Sequence, residues 1–133
     1  MNDIRKLSRN GGSESTPQDE YGVLMDTLRI SVSKHKIDDG FTLVWANSYF
    51  YEMLGTTPEE YATVYHNSPV CFYEDDPSFL AVLNECVVDA LENDRGGYTC
   101  TTGVHTTAGD LKWIKLASTF IDEYVDGYQL SYT

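Results

Sequence analysis

Apolar positions recur along the chain first at helical and then at strand spacing. Between Gln18 and Leu28, Tyr21, Leu24, Met25 and Leu28 fall three or four residues apart, which predicts a short amphipathic helix over 18–27. Leu28, Ile30 and Val32 then alternate with polar neighbours and predict a first strand with one buried face. Asp39-Gly40 marks a tight turn, and the β-prone run Phe41-Thr42-Leu43-Val44-Trp45-Ala46 a second strand, so the two pair as a hairpin. Asn47 stands directly before Ser48-Tyr49-Phe50-Tyr51-Glu52-Met53-Leu54, where its side chain is expected to cap a short helix that Gly55 ends. Thr57-Pro58-Glu59-Glu60-Tyr61 starts another helix, with proline at its first position and acids near its positive end.

Pro69-Val70-Cys71-Phe72-Tyr73 follows, bounded by Glu74-Asp75-Asp76-Pro77. Phe79, Leu80, Leu83, Val87 and Leu91 then share one stripe of a long helix, which Asn93 to Gly97 brings to an end. Beyond Gly97, Thr, Tyr, Val, Trp and Ile predict three antiparallel strands over 98–106, 111–121 and 125–133, with turns at Ala108-Gly109-Asp110 and Asp126-Gly127. Both groups of strands have a single apolar face to bury. The expected fold is therefore α+β, an antiparallel sheet with helices packed on one face.

Composition narrows the function. A chain of 133 residues has room for one domain, and 41% apolar with 13% aromatic residues suffices for a core that could enclose a pocket. A formal charge of −12, spread through pairs such as Asp19-Glu20, Asp38-Asp39 and Glu59-Glu60, repels phosphate backbones and anionic lipid. It argues against nucleic-acid or membrane-surface binding. No apolar run is long enough to span a bilayer, and the start MNDIRKLSRN lacks the core of a signal peptide, so a cytoplasmic setting is expected. Residues 1–17, with Gly11-Gly12-Ser13 and hardly any apolar content, are expected to form a flexible arm. Cys71, Cys86 and Cys100 are odd in number and lack CxxC spacing, which argues for reduced, mostly buried thiols and against a zinc site.

The stretch Leu43-Val44-Trp45-Ala46-Asn47-Ser48-Tyr49-Phe50-Tyr51-Glu52-Met53-Leu54-Gly55, followed by Thr57-Pro58-Glu59-Glu60-Tyr61, resembles the second strand and first helices of PAS domains. Glu74-Asp75-Asp76 is similar to the family's acidic turn before its long helix, and Gly109-Asp110-Leu111-Lys112-Trp113-Ile114 to its Trp-containing hairpin. The resemblance covers residues 28–133 and makes 18–27 a preceding helix. It implies a five-stranded sheet in the order 2-1-5-4-3, with a pocket between the sheet and the helices. It also implies a sensory role upstream of an effector such as a histidine kinase or diguanylate cyclase, and pairing as a homodimer. On this reading the chain, ending with its last strand, is a piece of a longer signalling protein.

Known chromophores of that family fit poorly. A covalent flavin site needs a cysteine flanked by polar residues and amides on the strands; Cys71 sits between Val70 and Phe72, and Val104 and Ile114 stand where amides would. Haem needs an axial ligand, and residues 77–93 contain no histidine. His35, His66 and His105 are scattered, and the Glu-Asp-Asp run reads as a solvated helix start, so no metal site is expected. No nucleophile arrangement or phosphate loop supports catalysis by the chain itself.

The expected pocket lining is Tyr98, Cys100, Thr102 and Val104 from one strand, Ile114, Leu116 and Ser118 from the next, Leu130 and Tyr132 from the last, and Val87 and Leu91 from the long helix. Trp113 is expected on the opposite face, as part of a dimer patch beside Leu111. Three functions follow: a sensor binding a small molecule in its core, a ligand-free dimerisation module, and a small α+β isomerase or dehydratase.

Overall fold

The computed structural model describes residues 17–133. The arm expected over residues 1–17 lies outside the described residues but for Pro17. The first element is helix α1, Pro17–Thr27. Its hydrogen bonding runs past Thr27: the Leu28 N–H donates to the Leu24 carbonyl (3.0 Å) and the Ile30 N–H to that of Met25 (2.8 Å). Arg29, at φ 57°, turns the chain out of the helix. Leu28 and Ile30 are consequently exposed and belong to no strand, against the alternation read there.

Strand β1 spans Ser33–Lys36 and pairs antiparallel with β2, Leu43–Ala46. The intervening turn is held by Asp38, whose carboxylate accepts the N–H and the hydroxyl of Thr42, both at 2.9 Å. Helix α2, Ser48–Leu54, ends at Gly55 with φ 77°, a left-handed conformation that glycine adopts without steric cost. Asn47 occupies the N-cap position but does not cap. Its side chain instead accepts the Val32 N–H (2.8 Å) and donates to the Ile30 carbonyl (2.7 Å), because the β1 approach runs close enough to compete for the amide. Helix α3, Pro58–Val64, is capped by the Thr57 hydroxyl, which accepts the Glu60 N–H (3.1 Å).

A single turn, α4 (Pro69–Phe72), leads to the long helix α5, Pro77–Glu92, which buries Leu83, Val87 and Ala90. Strands β3 (Gly97–His105), β4 (Leu111–Val125) and β5 (Tyr128–Tyr132) complete one antiparallel sheet in the order β2-β1-β5-β4-β3. Asp126 and Gly127, at φ 53° and 84°, make the two-residue turn between β4 and β5.

Register assigns the faces. Tyr98 lies opposite Ser118, Cys100 opposite Leu116 and Thr102 opposite Ile114. These even-numbered positions face the helices, where Leu43, Phe50, Leu54, Tyr61, Tyr73 and Val104 form the buried core. The odd positions lie on the other face, where the Phe79 ring of α5 covers Gly103 and packs on Trp113. No helix among the described residues is long and apolar enough to cross a membrane.

Candidate functional site

The core is hollow. A cavity of about 890 Å³ lies between the helices and the inner face of the sheet, walled by Phe50, Leu54 and Phe72 on the helical side and by Tyr98, Ile114 and Leu116 on the sheet. That volume falls in the range of small-molecule sites, about 300–1,000 Å³. Leu83 and Val87 of α5 close one end.

The helical wall is a set of interlocked rings. Phe50 meets Tyr51 and Tyr61 edge-on, with centroids 5.1 and 5.5 Å apart, and Tyr65 meets Phe72 at 4.8 Å. Such edge-to-face pairs fix ring orientation beyond the burial they provide. The spacing of Phe50, Leu54 and Tyr61 along α2 and α3 turns all three toward the sheet.

The sheet wall has an opening, and the hydrogen-bond alternation locates it. Thr133 exchanges both backbone bonds with Ser33 at 2.8 Å, so its polar groups face β1. Those of the preceding Tyr132 therefore face β4, where its partner is Thr119. On β4 the even positions turn the other way, as Phe120 shows by donating to the Gly96 carbonyl beside β3 (2.9 Å). Trp113, Lys115 and Ala117 thus direct their backbone N–H and C=O groups to the same side as Thr119, yet no strand lies beside them among the described residues. The cavity reaches this open edge, where Ser31, Val32, Lys115 and Ala117 line its mouth.

Of the residues expected to line a pocket, the structure brings Tyr98, Ile114, Leu116 and Val87 together at the cavity, with Tyr132 at the mouth. Cys100, Thr102, Val104 and Ser118 are buried on the same inner face but pack into solid core away from the cavity surface. Leu91 is 46% exposed, because the buried stripe of α5 runs through Leu83, Val87 and Ala90 and leaves Leu91 to one side. Leu130 is opposite Ile121 and Tyr132 opposite Thr119, both odd positions of β4, which places these two side chains on the far face of the sheet. That is a shift of one residue in phase relative to the expectation. Trp113 faces away from the cavity, 67% exposed, with its ring against Phe79 at 5.7 Å.

Most of the lining was absent from the expected set, including His35 of β1, Tyr61 of α3 and Tyr73 just after α4. Burial, slightly offset by the Asp38 charge, pushes the His35 imidazole down to about 4, so it is neutral at pH 7. Burial likewise pushes the Tyr61 and Tyr73 phenols well above their ordinary range. The Cys100 thiol, enclosed and next to Cys86, is pushed up to about 11, which keeps it protonated and unreactive. A histidine within a run of strand residues, or a tyrosine on an amphipathic helix, signals burial in sequence but not which void it borders.

No Cys, Asn or Gln among the described residues lines the cavity, so the thiol and amide groups of a covalent flavin site are missing from its walls. No group of three or more His, Cys, Asp or Glu among the described residues is placed to hold a metal ion.

No protein-family model matches the sequence, and no curated protein matches it. Solved structures do. A light-oxygen-voltage domain from work with a flavin analogue superposes with a TM-score of 0.57 at 17% identity, covering 83% of this chain and 77% of that one. An RNA-binding light-oxygen-voltage receptor gives 0.53 at 14%, covering 91% of this chain; this chain spans 34% of the receptor. A PAS domain from a two-component sensor histidine kinase gives 0.50 at 11%, covering 88% and 95%. The strand order and helix placement are shared, and the chain has the PAS fold.

Proposed function

We propose that this PAS-fold chain is a sensory domain: residues 28–133 bind a small molecule in the hollow core, and helix α1 and strand β5 relay its arrival to a partner or effector. The observation that carries this reading is the cavity of about 890 Å³, lined mainly by apolar and aromatic side chains with a few polar ones such as Ser33, His35 and Ser131. Native cores have few voids larger than a water molecule, and a void of this size forgoes contacts that a guest would restore. The cavity also touches the elements that would report occupancy. Tyr21 and Met25 of α1 and Ser131 and Tyr132 of β5 are all on its surface.

In this role the chain is regulatory and not catalytic, and the chemistry it controls belongs to an effector such as a histidine kinase or diguanylate cyclase in the cytoplasm. The likeness to a PAS domain from a sensor histidine kinase supports that class of effector. Native mass spectrometry of protein purified without denaturation tests the reading. A complex heavier than the bare chain that loses the extra mass on unfolding is expected; bare chain in every preparation, with no small molecule in an organic extract, would count against it.

One observation favours pairing as well. Trp113 and Leu111, both exposed, lie on the sheet face opposite the cavity, beside Phe79 of α5, and offer an apolar patch to a second copy. Sedimentation of Trp113→Ala against the parent chain tests this, with a weaker self-association expected of the variant.

A further inference from the structure

Two of the three cysteines meet where helix α5 packs on strand β3. Cys100, 5% exposed, belongs to the inner face of β3, opposite Leu116. Cys86 stands on α5 about one turn from both Leu83 and Ala90, at the flank of the buried stripe, and is half-buried. The two thiols are in hydrogen-bond contact. The chain between them runs out along α5 and back along β3, so the contact joins a helix to a strand. Cys71, the third, belongs to α4.

The two sulfurs differ in access. Cys86 borders a surface recess with Val82, Glu85 and Asp89, whereas Cys100 is enclosed and stays protonated. An oxidant arriving from solvent therefore meets Cys86 first. Neither side chain is branched, and a turn about Cα–Cβ at each carries touching sulfurs toward the bonded distance of about 2.05 Å.

We propose that Cys86 and Cys100 form a reversible disulfide that ties α5 to β3 when the protein meets hydrogen peroxide. The O–O bond breaks as one oxygen passes to the Cys86 sulfur, giving a sulfenic acid and one water. The Cys100 sulfur then displaces the hydroxyl group. The S–S bond forms, the S–O bond breaks, and the Cys100 proton leaves with the hydroxyl as a second water. Two thiols lose two hydrogens and two electrons, and one peroxide takes them up. A dithiol reductant reverses the bond by exchange. Val87 and Tyr98, close along the chain to these cysteines, both line the cavity. Oxidation thus holds that end of the cavity in place whether or not a guest is present.

The test exposes the folded chain to a small excess of hydrogen peroxide, then unfolds it in a maleimide and weighs it. Labelled thiols are expected to fall from three to one, and peptide mapping without reduction to join Cys86 to Cys100. Cys71→Ser is expected to close the same bond, and Cys86→Ser to close none. The oxidised chain is expected to melt at a higher temperature than the reduced one, because the cross-link restricts the unfolded chain, and dithiothreitol is expected to abolish the rise. Three labelled thiols after oxidation, oxygen accumulating on Cys86 with no bond, or a bond to Cys71 or to a second chain would each overturn the proposal. So would a disulfide that forms but lowers the melting temperature, since the folded packing would then oppose it.

Discussion

The two walls of the cavity are built by opposite means. On the helical side, five rings from Phe50 to Phe72 meet at centroid distances of 4.8 to 6.0 Å, and each orients the next. On the sheet side several buried positions are small and polar, with Ser33, Thr102, Ser118 and Ser131 all under 9% exposed, and no strand among the described residues lies beside Trp113 to Ala117. One wall is fixed by interlocked side chains, the other by backbone pairing. The lesson is that one small domain can frame a cavity by two different means: ring packing on the helical side and backbone pairing on the sheet side.

The largest test of this division is Tyr61→Ala. Removing the ring at the centre of the cluster takes contacts from Phe50, Tyr51, Tyr65 and Phe72 together, and a loss of about 3–5 kcal/mol in urea unfolding is expected. Ser118→Ala on the opposite wall is expected to cost about 1 kcal/mol, the worth of the part-buried hydrogen bond its hydroxyl accepts from Thr133. Equal losses would erase the contrast.

Acid sensitivity sharpens it next. His35 lies on the sheet side and is held neutral down to about 4, whereas unfolded histidine takes its proton near 6.5. Between these values the unfolded chain binds the extra proton, so stability falls as pH drops through that window and is unaffected by this group above about pH 7. The difference of 2.5 units corresponds to about 3 kcal/mol at most, at about 1.4 kcal/mol per unit. His35→Phe is expected to flatten the unfolding free energy between pH 6.5 and 4; an unchanged slope would mean that the imidazole is hydrated in the folded state.

The smallest effect is local. Amide hydrogens of Lys115 and Ala117 are expected to exchange rapidly, while those of Ile114 and Leu116, turned toward β3, are protected. Uniform protection across residues 113–117 would show that the edge is covered in solution.

Much of the frame was legible in the amino-acid pattern. Asp39-Gly40, Gly55, Thr57-Pro58 and Asp126-Gly127 each carry local turn or cap chemistry, and the sheet order came with the resemblance that those landmarks support. The first strand was placed too early because three alternating apolar residues suit the frayed end of a helix as well as a strand; the carbonyls of Leu24 and Met25 decide between them. Asn47 was misread because two sets of backbone groups compete for one amide, and only tertiary proximity shows that Ile30 and Val32 win. Leu130 and Tyr132 were assigned to the wrong face since alternation fixes the period of a strand and not its phase, which the Thr133–Ser33 pairing sets. The unpartnered Nε2 of His35 was invisible for a related reason. A missing partner is a property of the packed chain, and no residue type announces it.

The central claim is that the interior is hollow and can be filled. Xenon pressurisation followed by methyl NMR tests it most directly. The account predicts progressive shifts at the methyls of Leu54, Leu83, Val87, Ile114 and Leu116, which border the cavity, and none at the exposed Val44 and Val125. Shifts confined to the surface, or absent altogether, would show a filled core and contradict it.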